Sequence, residues 1–453
     1  MLYQDQRDLF YRAFSPRETR EGSVTGVRNT VPIHMRQAQI SLPRLRQRLE
    51  QLGTIGRDPA GGVTRLPFSP AHVDAVRFVA QAMQEAGLEV GVDEFGILIG
   101  QRGDERQPAL LVGSHLDTVP GGGMFDGALG VMAGVEAAHA LHEAGRGVHH
   151  RLVVVAVPDE EGYAFGVGTL SSRALVGQIP RSRFGELRDA TGRSLADYLA
   201  AREHGLPRSR VPGRVSVYLE LHVEQGPVLE RMGRTVAAVE LITGILRTTA
   251  IFDGRASHAG TAPMDARADA LVGAAEFVLA VRQLAAASGG RAVGTVGKAQ
   301  ILPGAVNVVP GRVVLSVELR SPDERTLQEL RAAVEHRAPA IAQAHGLTVT
   351  LRPWDSSRPQ PLDPHVREII LHAMEVGGHP RLTLPSWAGH DAAVLAHHVP
   401  AGMIFVTSSA GVSHSPREHT PWPAVEAGTR VLLDTLLLLD DDHQEARLPL
   451  AYA

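Results

Sequence analysis

The chain of 453 residues carries 45 Lys plus Arg against 49 Asp plus Glu, a formal net charge of −4, with 21 His and no Cys; 44% of its residues are hydrophobic and 21% charged. This composition excludes a disordered chain, the length allows two or three domains, and the slightly acidic balance excludes the basic footprint of a dedicated nucleic-acid binder. Without cysteine there can be no disulfide, thiolate zinc site, iron–sulfur cluster or Cys nucleophile, so any metal must be held by His, Asp and Glu.

The first residues lack the apolar core of a signal peptide, and no uninterrupted apolar stretch approaches the ~18–20 residues of a membrane helix. The expectation is a cytoplasmic soluble protein with neither nucleic acid nor a membrane as partner. Residues 1–35 are polar and without clear periodicity, and read as an N-terminal arm. Leu42, Leu45, Leu49 and Leu52 then fall at helical spacing. The pattern predicts a helix over 71–86 that stops at Gly87, a strand over 88–95, a buried parallel strand over 109–114 and a helix over 129–144 that stops at Gly145. Buried strands follow over 152–157 and 215–221. This βαβ rhythm predicts an α/β domain with a mostly parallel central sheet.

Residues 246–351 read differently: strand 246–252, helix 266–284, strand 291–301, strand 312–319, helix 325–345, strand 347–351. That order is βαββαβ, a split βαβ, α+β unit. A Pro-containing linker leads to a helix over 364–376, a Gly/His/Ser-rich region and a last helix over 424–439. The reading is one discontinuous α/β domain, 36–245 and 352–453, with a smaller domain, 246–351, inserted.

Four clusters can carry chemistry. An apolar strand runs into a turn with His115 and Asp117 and, after a glycine-rich loop, Asp126. Ligands of open α/β sheets bind at such strand ends, and a carboxylate there can fix the tautomer of a metal-bound His. The next strand ends in Asp159-Glu160-Glu161, where one carboxylate can ligate while its neighbour takes a proton from metal-bound water. In the third, Glu220, His222 and Glu224 alternate with Leu219 and Leu221. In the fourth, a loop presents His414. Taken singly, these read equally well as a loop ion pair, a solvated turn, an edge strand and a surface loop. Together they offer an all-N/O donor set suited to Zn²⁺ or Mn²⁺, and five ligands with one bridging carboxylate would make a two-metal site. The adjacent pairs His149–His150 and His397–His398 point different ways and are poor chelates.

The motifs GSHLDTVPGGGMFDG, DEEG, ELHVEQGP, GRASHAGTAPMDARADAL, NVVPG, ELRSPD, AGHDA and SHSPRE occur in that order between about residues 42 and 439. On them the chain resembles the M20-type metallohydrolases. Within these it is similar to the hydantoinase/carbamoylase branch of N-carbamoyl-L-amino acid hydrolases, β-ureidopropionases and allantoate amidohydrolases. The resemblance implies two divalent ions (Zn²⁺, Mn²⁺, Co²⁺ or Ni²⁺), one on His115, Asp126 and His222 and the other on Asp126, Glu161 and His414, with Asp126 bridging. It implies Asp117 as the group orienting His115 and Glu160 as general base, its pKa raised by burial and crowded carboxylates. Residues 246–351 would be a ferredoxin-like lid and dimerisation domain of a homodimer. There His258 would stabilise the oxyanion, and Asn307 and Arg320 would hold the substrate carboxylate, a task suited to a planar guanidinium. Gln225, Gly389 and His390 would lie on the substrate side. The implied activity is hydrolysis of the ureido C–N bond of N-carbamoyl-L-amino acids to amino acid, CO₂ and ammonia. Allantoate or β-ureidopropionate are the alternative substrates, and an M20-type peptidase or an inactive binding homologue are remoter readings. The chain departs from the usual pattern at Ala164, where Arg is common, at Trp387, where Gly is common, and in Gly96-Ile-Leu-Ile-Gly100, where the usual motif is GNLIG.

Overall fold

The computed structural model describes residues 38–442, so the arm read over 1–35 lies outside the described residues. Two compact units are present, one comprising residues 38–240 and 361–442, the other Leu241–Gln360. In chain order the strands are β1 (Glu89–Val92), β2 (Leu98–Arg102), β3 (Ala109–His115), β4 (Arg151–Val157), β5 (Val215–Val223), β6 (Val236–Ile242), β7 (Gly244–Asp253), β8 (Ser257–His258), β9 (Val293–Leu302), β10 (Val308–Val309), β11 (Arg312–Ser321), β12 (Thr348–Ser357), β13 (Gln360–Pro361), β14 (Thr383–Ser386) and β15 (Ala401–Val406).

The large sheet runs β1-β2-β4-β3-β5-β15-β6-β13, with β14 on β6. Its centre is parallel: β4 with β3, β3 with β5, β5 with β15. The flanks are antiparallel, β1–β2 and β2–β4 on one side and β15–β6 on the other. The fold is therefore mixed α/β with the parallel strands at its core. Those strands are near-continuous apolar runs, such as RLVVVAV in β4 and AGMIFV in β15, because both faces are covered. The stretch expected as one strand over 88–95 is instead the first arm of a hairpin. The Asp93 carboxylate accepts the N–H groups of Phe95 and Ile97 and turns the chain back into β2.

Helix Ala128–Glu143 is buried nearly all round, consistent with its Ala- and Gly-rich sequence. Gly130 and Gly134 let it approach the sheet: a Cβ on Gly130 would overlap the Leu221 carbonyl. Helices Leu42–Leu52 and Pro70–Glu85 begin on Ser41 and Ser69 caps with Pro in the first turn, the arrangement that satisfies an orphan N–H at least cost.

The unit Leu241–Gln360 has a four-stranded antiparallel sheet in the order β12-β7-β11-β9 and a two-stranded piece of β8 and β10. Residues alternate in burial along β11, as in a sheet covered on one face. Helices Ala270–Ala287 and Glu324–Ala344 cover that face, with Phe252, Phe277, Leu315, Val317, Leu327 and Ile341 in the core. Helix Ala270–Ala287 is the one helix among the described residues long and apolar enough to cross a membrane by length and composition. It carries Glu276 and Arg282 and buries one face, with Phe277 and Val281, against the sheet.

Candidate metal centre

The three parallel strands β3, β4 and β5 deliver polar side chains at their carboxyl ends: His115 from β3, Asp159-Glu160-Glu161 just after β4, and His222 from the penultimate residue of β5. The chain leaves β3 through a turn and returns at Asp126, immediately before helix Ala128–Glu143. Gly127 there has φ +63°, and a Cβ on it would overlap the His115 ring, so only glycine leaves that imidazole its place.

Asp126 is buried among three imidazoles. Its Oδ1 lies 3.4 Å from His115 Nε2 and 3.2 Å from His222 Nε2; its Oδ2 lies 3.3 Å from His414 Nε2, which is 3.2 Å from Glu161 Oε1. Two groups with ligand spacing therefore share Asp126: His115–Asp126–His222 and Asp126–Glu161–His414. A third joins His115, Glu160 and Glu161.

The fit to metal can be tested on proton positions. His115 Nδ1 lies 3.0 Å from the Asp117 carbonyl and His222 Nδ1 2.8 Å from the Val223 carbonyl. A carbonyl can only accept, so both Nδ1 atoms carry the hydrogen, and in the neutral rings both Nε2 atoms present lone pairs. Those two nitrogens lie 3.5 Å apart and face a buried carboxylate oxygen, Asp126 Oδ1, that has no hydrogen-bond partner. Donors converging in this way call for positive charge among them: against the lowering effect of burial, Asp126 raises both imidazoles, and a divalent ion fits the same three groups.

Charge in the cluster is strongly perturbed. Burial by itself would raise the Asp126 carboxyl, but the three imidazoles around it hold it well below the usual carboxylate range. His414, bonded first to Asp126 and then to Glu161, is pushed up to about 10. Burial, reinforced by the Glu161 charge and opposed by His115, puts Glu160 well above its ordinary value. Asp117 is pushed up to about 6, again chiefly by burial. Glu160 and Asp117 are thus raised by desolvation and neighbouring carboxylates while Asp126 is lowered, a spread of perturbed groups of the kind that clusters at functional sites.

The remaining predicted residues fall into place as follows. The Asp117 backbone carbonyl, and not its carboxylate, accepts from His115; the carboxylate, 3.8 Å from Nδ1, instead accepts the backbone N–H groups of Glu160 and Glu161. Gln225 Nε2 donates to Asp126 Oδ2 at 2.9 Å. The His390 ring stands edge-on to His222, centroids 4.5 Å apart, with Ser386 Oγ 2.8 Å from its Nε2, and Gly389 precedes it in the same loop. Glu224, which the alternation in β5 would place beside His222, turns away and accepts the N–H groups of Val228 and Leu229. Within the unit Leu241–Gln360, His258 and Asn307 are neighbours: His258 pairs with Val308, and Ala259 N–H donates to the Asn307 carbonyl. His258 Nδ1 accepts from Gly260 and Thr261, which leaves the proton on Nε2, and the Arg320 guanidinium pairs with Glu318 at 2.7 Å. At the opposite, amino end of the large sheet, His150 pairs with Asp440, and His149 stands with Asp440 and Asp441.

Several further polar groups support the site without belonging to the proposed ligand set. Glu220 accepts from Ser114, Tyr218 and Ala392 N–H beneath the site, tying β3, β5 and the helix Asp391–Leu395 together. Ser172 bonds to the buried Asp391. Glu418 accepts from Phe125 and Asp126. Of these, Glu220 stands in the alternation of the third cluster, Asp391 in the AGHDA motif and Glu418 in the SHSPRE motif, four residues after His414, while Ser172 carries no clue in the sequence.

A fold that offers an all-N/O donor set at the carboxyl ends of parallel strands is that of a metal-site hydrolase class, and sequence comparison makes the assignment specific. The chain belongs to peptidase family M20/M25/M40, whose sequence model matches residues 111–438. It is 41% identical over 401 residues to an N-carbamoyl-L-amino acid amidohydrolase of Geobacillus stearothermophilus, covering 87% of this chain and 97% of that one. It is 32% identical over 406 residues to an allantoate amidohydrolase of Escherichia coli, covering 88% and 97%. Among solved structures, a hydantoinase/carbamoylase-family amidase from Burkholderia vietnamiensis superposes with a TM-score of 0.81 at 32% identity, covering 88% of this chain and 98% of that one.

Proposed function

We propose that this protein hydrolyses the ureido C–N bond of N-carbamoyl-L-amino acids, giving the L-amino acid, CO₂ and ammonia, with two divalent ions bridged by Asp126. The observation that carries the reading is the arrangement of Asp126, whose two oxygens face two separate His-containing groups while Glu160 stands beside them. The likeness to the Geobacillus enzyme supports this substrate class. Likeness to the Escherichia coli enzyme makes allantoate the second reading.

One ion would rest on His115, Asp126 and His222, the other on Asp126, Glu161 and His414. Bound ions acidify water and polarise a carbonyl oxygen at neutral pH. Glu160, half-buried and with its pKa raised, takes the proton of the attacking water and hands it to the leaving nitrogen. Asp117 holds the Glu160–Glu161 turn by its two amides and His115 by its carbonyl, and so fixes base and ligand from one residue. His258, protonated on Nε2, donates to the developing oxyanion; Asn307 and Arg320 hold the substrate carboxylate; Gln225, Gly389 and His390 line the substrate side. The βαββαβ order and the strand order of the Leu241–Gln360 unit support a ferredoxin-like lid and dimerisation domain. The exposed face of helix Ala270–Ala287, with Leu271, Val272, Val278 and Leu279, supports a homodimer formed through it. The protein would act in the cytoplasm.

The test is a comparison of kcat/KM on the metal-loaded protein with N-carbamoyl-L-methionine, allantoate and β-ureidopropionate. The carbamoyl amino acid is expected to lead. A higher value for allantoate would move the assignment to the second reading, and metal-replete protein inert to all three would refute both.

A further inference from the structure

We infer that Glu418 and Ser413 form a positioning bracket that sets the rotation of Asp126, and thereby decides that its two oxygens serve two different ligand groups. The inference rests on the two-ion reading above. A carboxylate can bridge only if each oxygen is aimed at its own partners; Gln225 Nε2 donates to Asp126 Oδ2, but nothing within the turn before helix Ala128–Glu143 itself aims the side chain. Glu418 supplies that restraint. Its Oε1 accepts the N–H groups of both Phe125 and Asp126, each at 3.0 Å, which fixes the backbone of the turn. Ser413 Oγ lies 2.8 Å from Asp126 Oδ2 and 3.0 Å from Glu418 Oε2, which fixes the side chain. Glu418 is buried, and its carboxylate fills the space where a Cβ on Gly123 would stand, so the glycine-rich loop is shaped around it.

The bracket comes from the same loop as a ligand. Ser413 precedes His414 and Glu418 follows it, so one short segment supplies the His414 imidazole and the clamp on the carboxylate that imidazole faces. His115 and His222 are held independently, by strand ends and by the carbonyls of Asp117 and Val223. Loss of the bracket should therefore weaken the Asp126–Glu161–His414 group and spare the His115–His222 side. The bracket's chemistry is specific too. Ser413 has one proton and two carboxylate oxygens within reach. In Glu418→Gln, the amide oxygen can still accept from Phe125 and Asp126, while the amide N–H₂ donates to Ser413 Oγ and leaves its proton for Asp126.

The experiment is calorimetric titration of Mn²⁺ into metal-stripped, full-length protein, with thermal unfolding followed in parallel. Wild type is expected to take up two ions. Glu418→Ala should keep one at wild-type affinity and bind the second about 10–100-fold more weakly, and Glu418→Gln should restore the second. Two undisturbed sites in Glu418→Ala, equal weakening of both, or a Glu418→Gln variant as impaired as Glu418→Ala would overturn the inference. A residue that only supported the fold would lower the unfolding temperature without separating the two sites. Should Glu418→Ala fail to fold, Ser413→Ala, which leaves both Glu418–amide bonds in place, must show the same selective weakening; an unchanged titration would refute the bracket. Wild type that takes up fewer than two ions would refute the two-ion reading itself, before any variant is made.

Discussion

At the scale of single residues, the site is decided by which atom of a side chain or backbone reaches which partner. His115, Asp126, Glu161, His222 and His414 stood in four clusters that residue type and position made visible as donor-rich, and it was the family resemblance that implied them as one ligand set. What spacing cannot convey is direction. Asp117 reads as a carboxylate orienting His115, yet its carbonyl performs that contact and its carboxylate binds the Glu160 and Glu161 amides. Glu224 alternates correctly with His222 and still leaves the site, because the chain turns after β5 and two amides at the start of a short helix claim it. The Asp117 geometry has a measurable consequence. Asp117→Asn retains the backbone carbonyl for His115 but turns one amide N–H₂ toward another N–H donor. We expect kcat to fall about 10–100-fold with the ion on His115 and His222 retained, the size typical of losing a supporting contact. Kinetics alongside metal analysis checks this, and unchanged kcat would contradict it.

At the scale of elements, helices Leu42–Leu52 and Pro70–Glu85 were legible because their apolar residues recur at helical spacing and the second runs into Gly87. Strands β2, β6 and β15 were not. β6 and β15 are short, mostly apolar runs, which periodicity alone cannot tell from a buried helical turn, and β2, LIGQR, is too short and mixed to show a period. The helix Pro70–Glu85 also carries a titrating group outside the site. His72 is fully buried, and burial, aided by the charges of Arg65 and His204, drives its pKa down to about 3. In the unfolded chain the same ring titrates near ~6.5. The folded state therefore binds fewer protons than the unfolded state between those values, and stability must fall as pH drops from about 6.5 toward 3. Above that window the ring is neutral in both states and contributes no slope. Urea unfolding at pH 7.5 and 5 should show a smaller loss for His72→Gln than for wild type; an equal loss would mean that another group sets the acid limb.

At the scale of the whole molecule, the sequence order βαββαβ was readable because its elements switch between periods of 2 and 3.6. The β12-β7-β11-β9 pairing was not, since β7 pairs with β12 about a hundred positions away and with β11 well over fifty away, and the sheet forms over the shared core under helices Ala270–Ala287 and Glu324–Ala344. The likeness to relatives extends over nearly nine-tenths of the chain. It therefore takes in both units. The central claim is that Glu160 is the base of a metal-dependent ureido hydrolase. Its most direct test is turnover of N-carbamoyl-L-methionine by wild type and Glu160→Gln, with metal content measured on the same samples. We predict equal metal content and a kcat for Glu160→Gln lower by about 10²–10⁴-fold. Turnover by Glu160→Gln close to that of wild type at full metal occupancy would contradict the account.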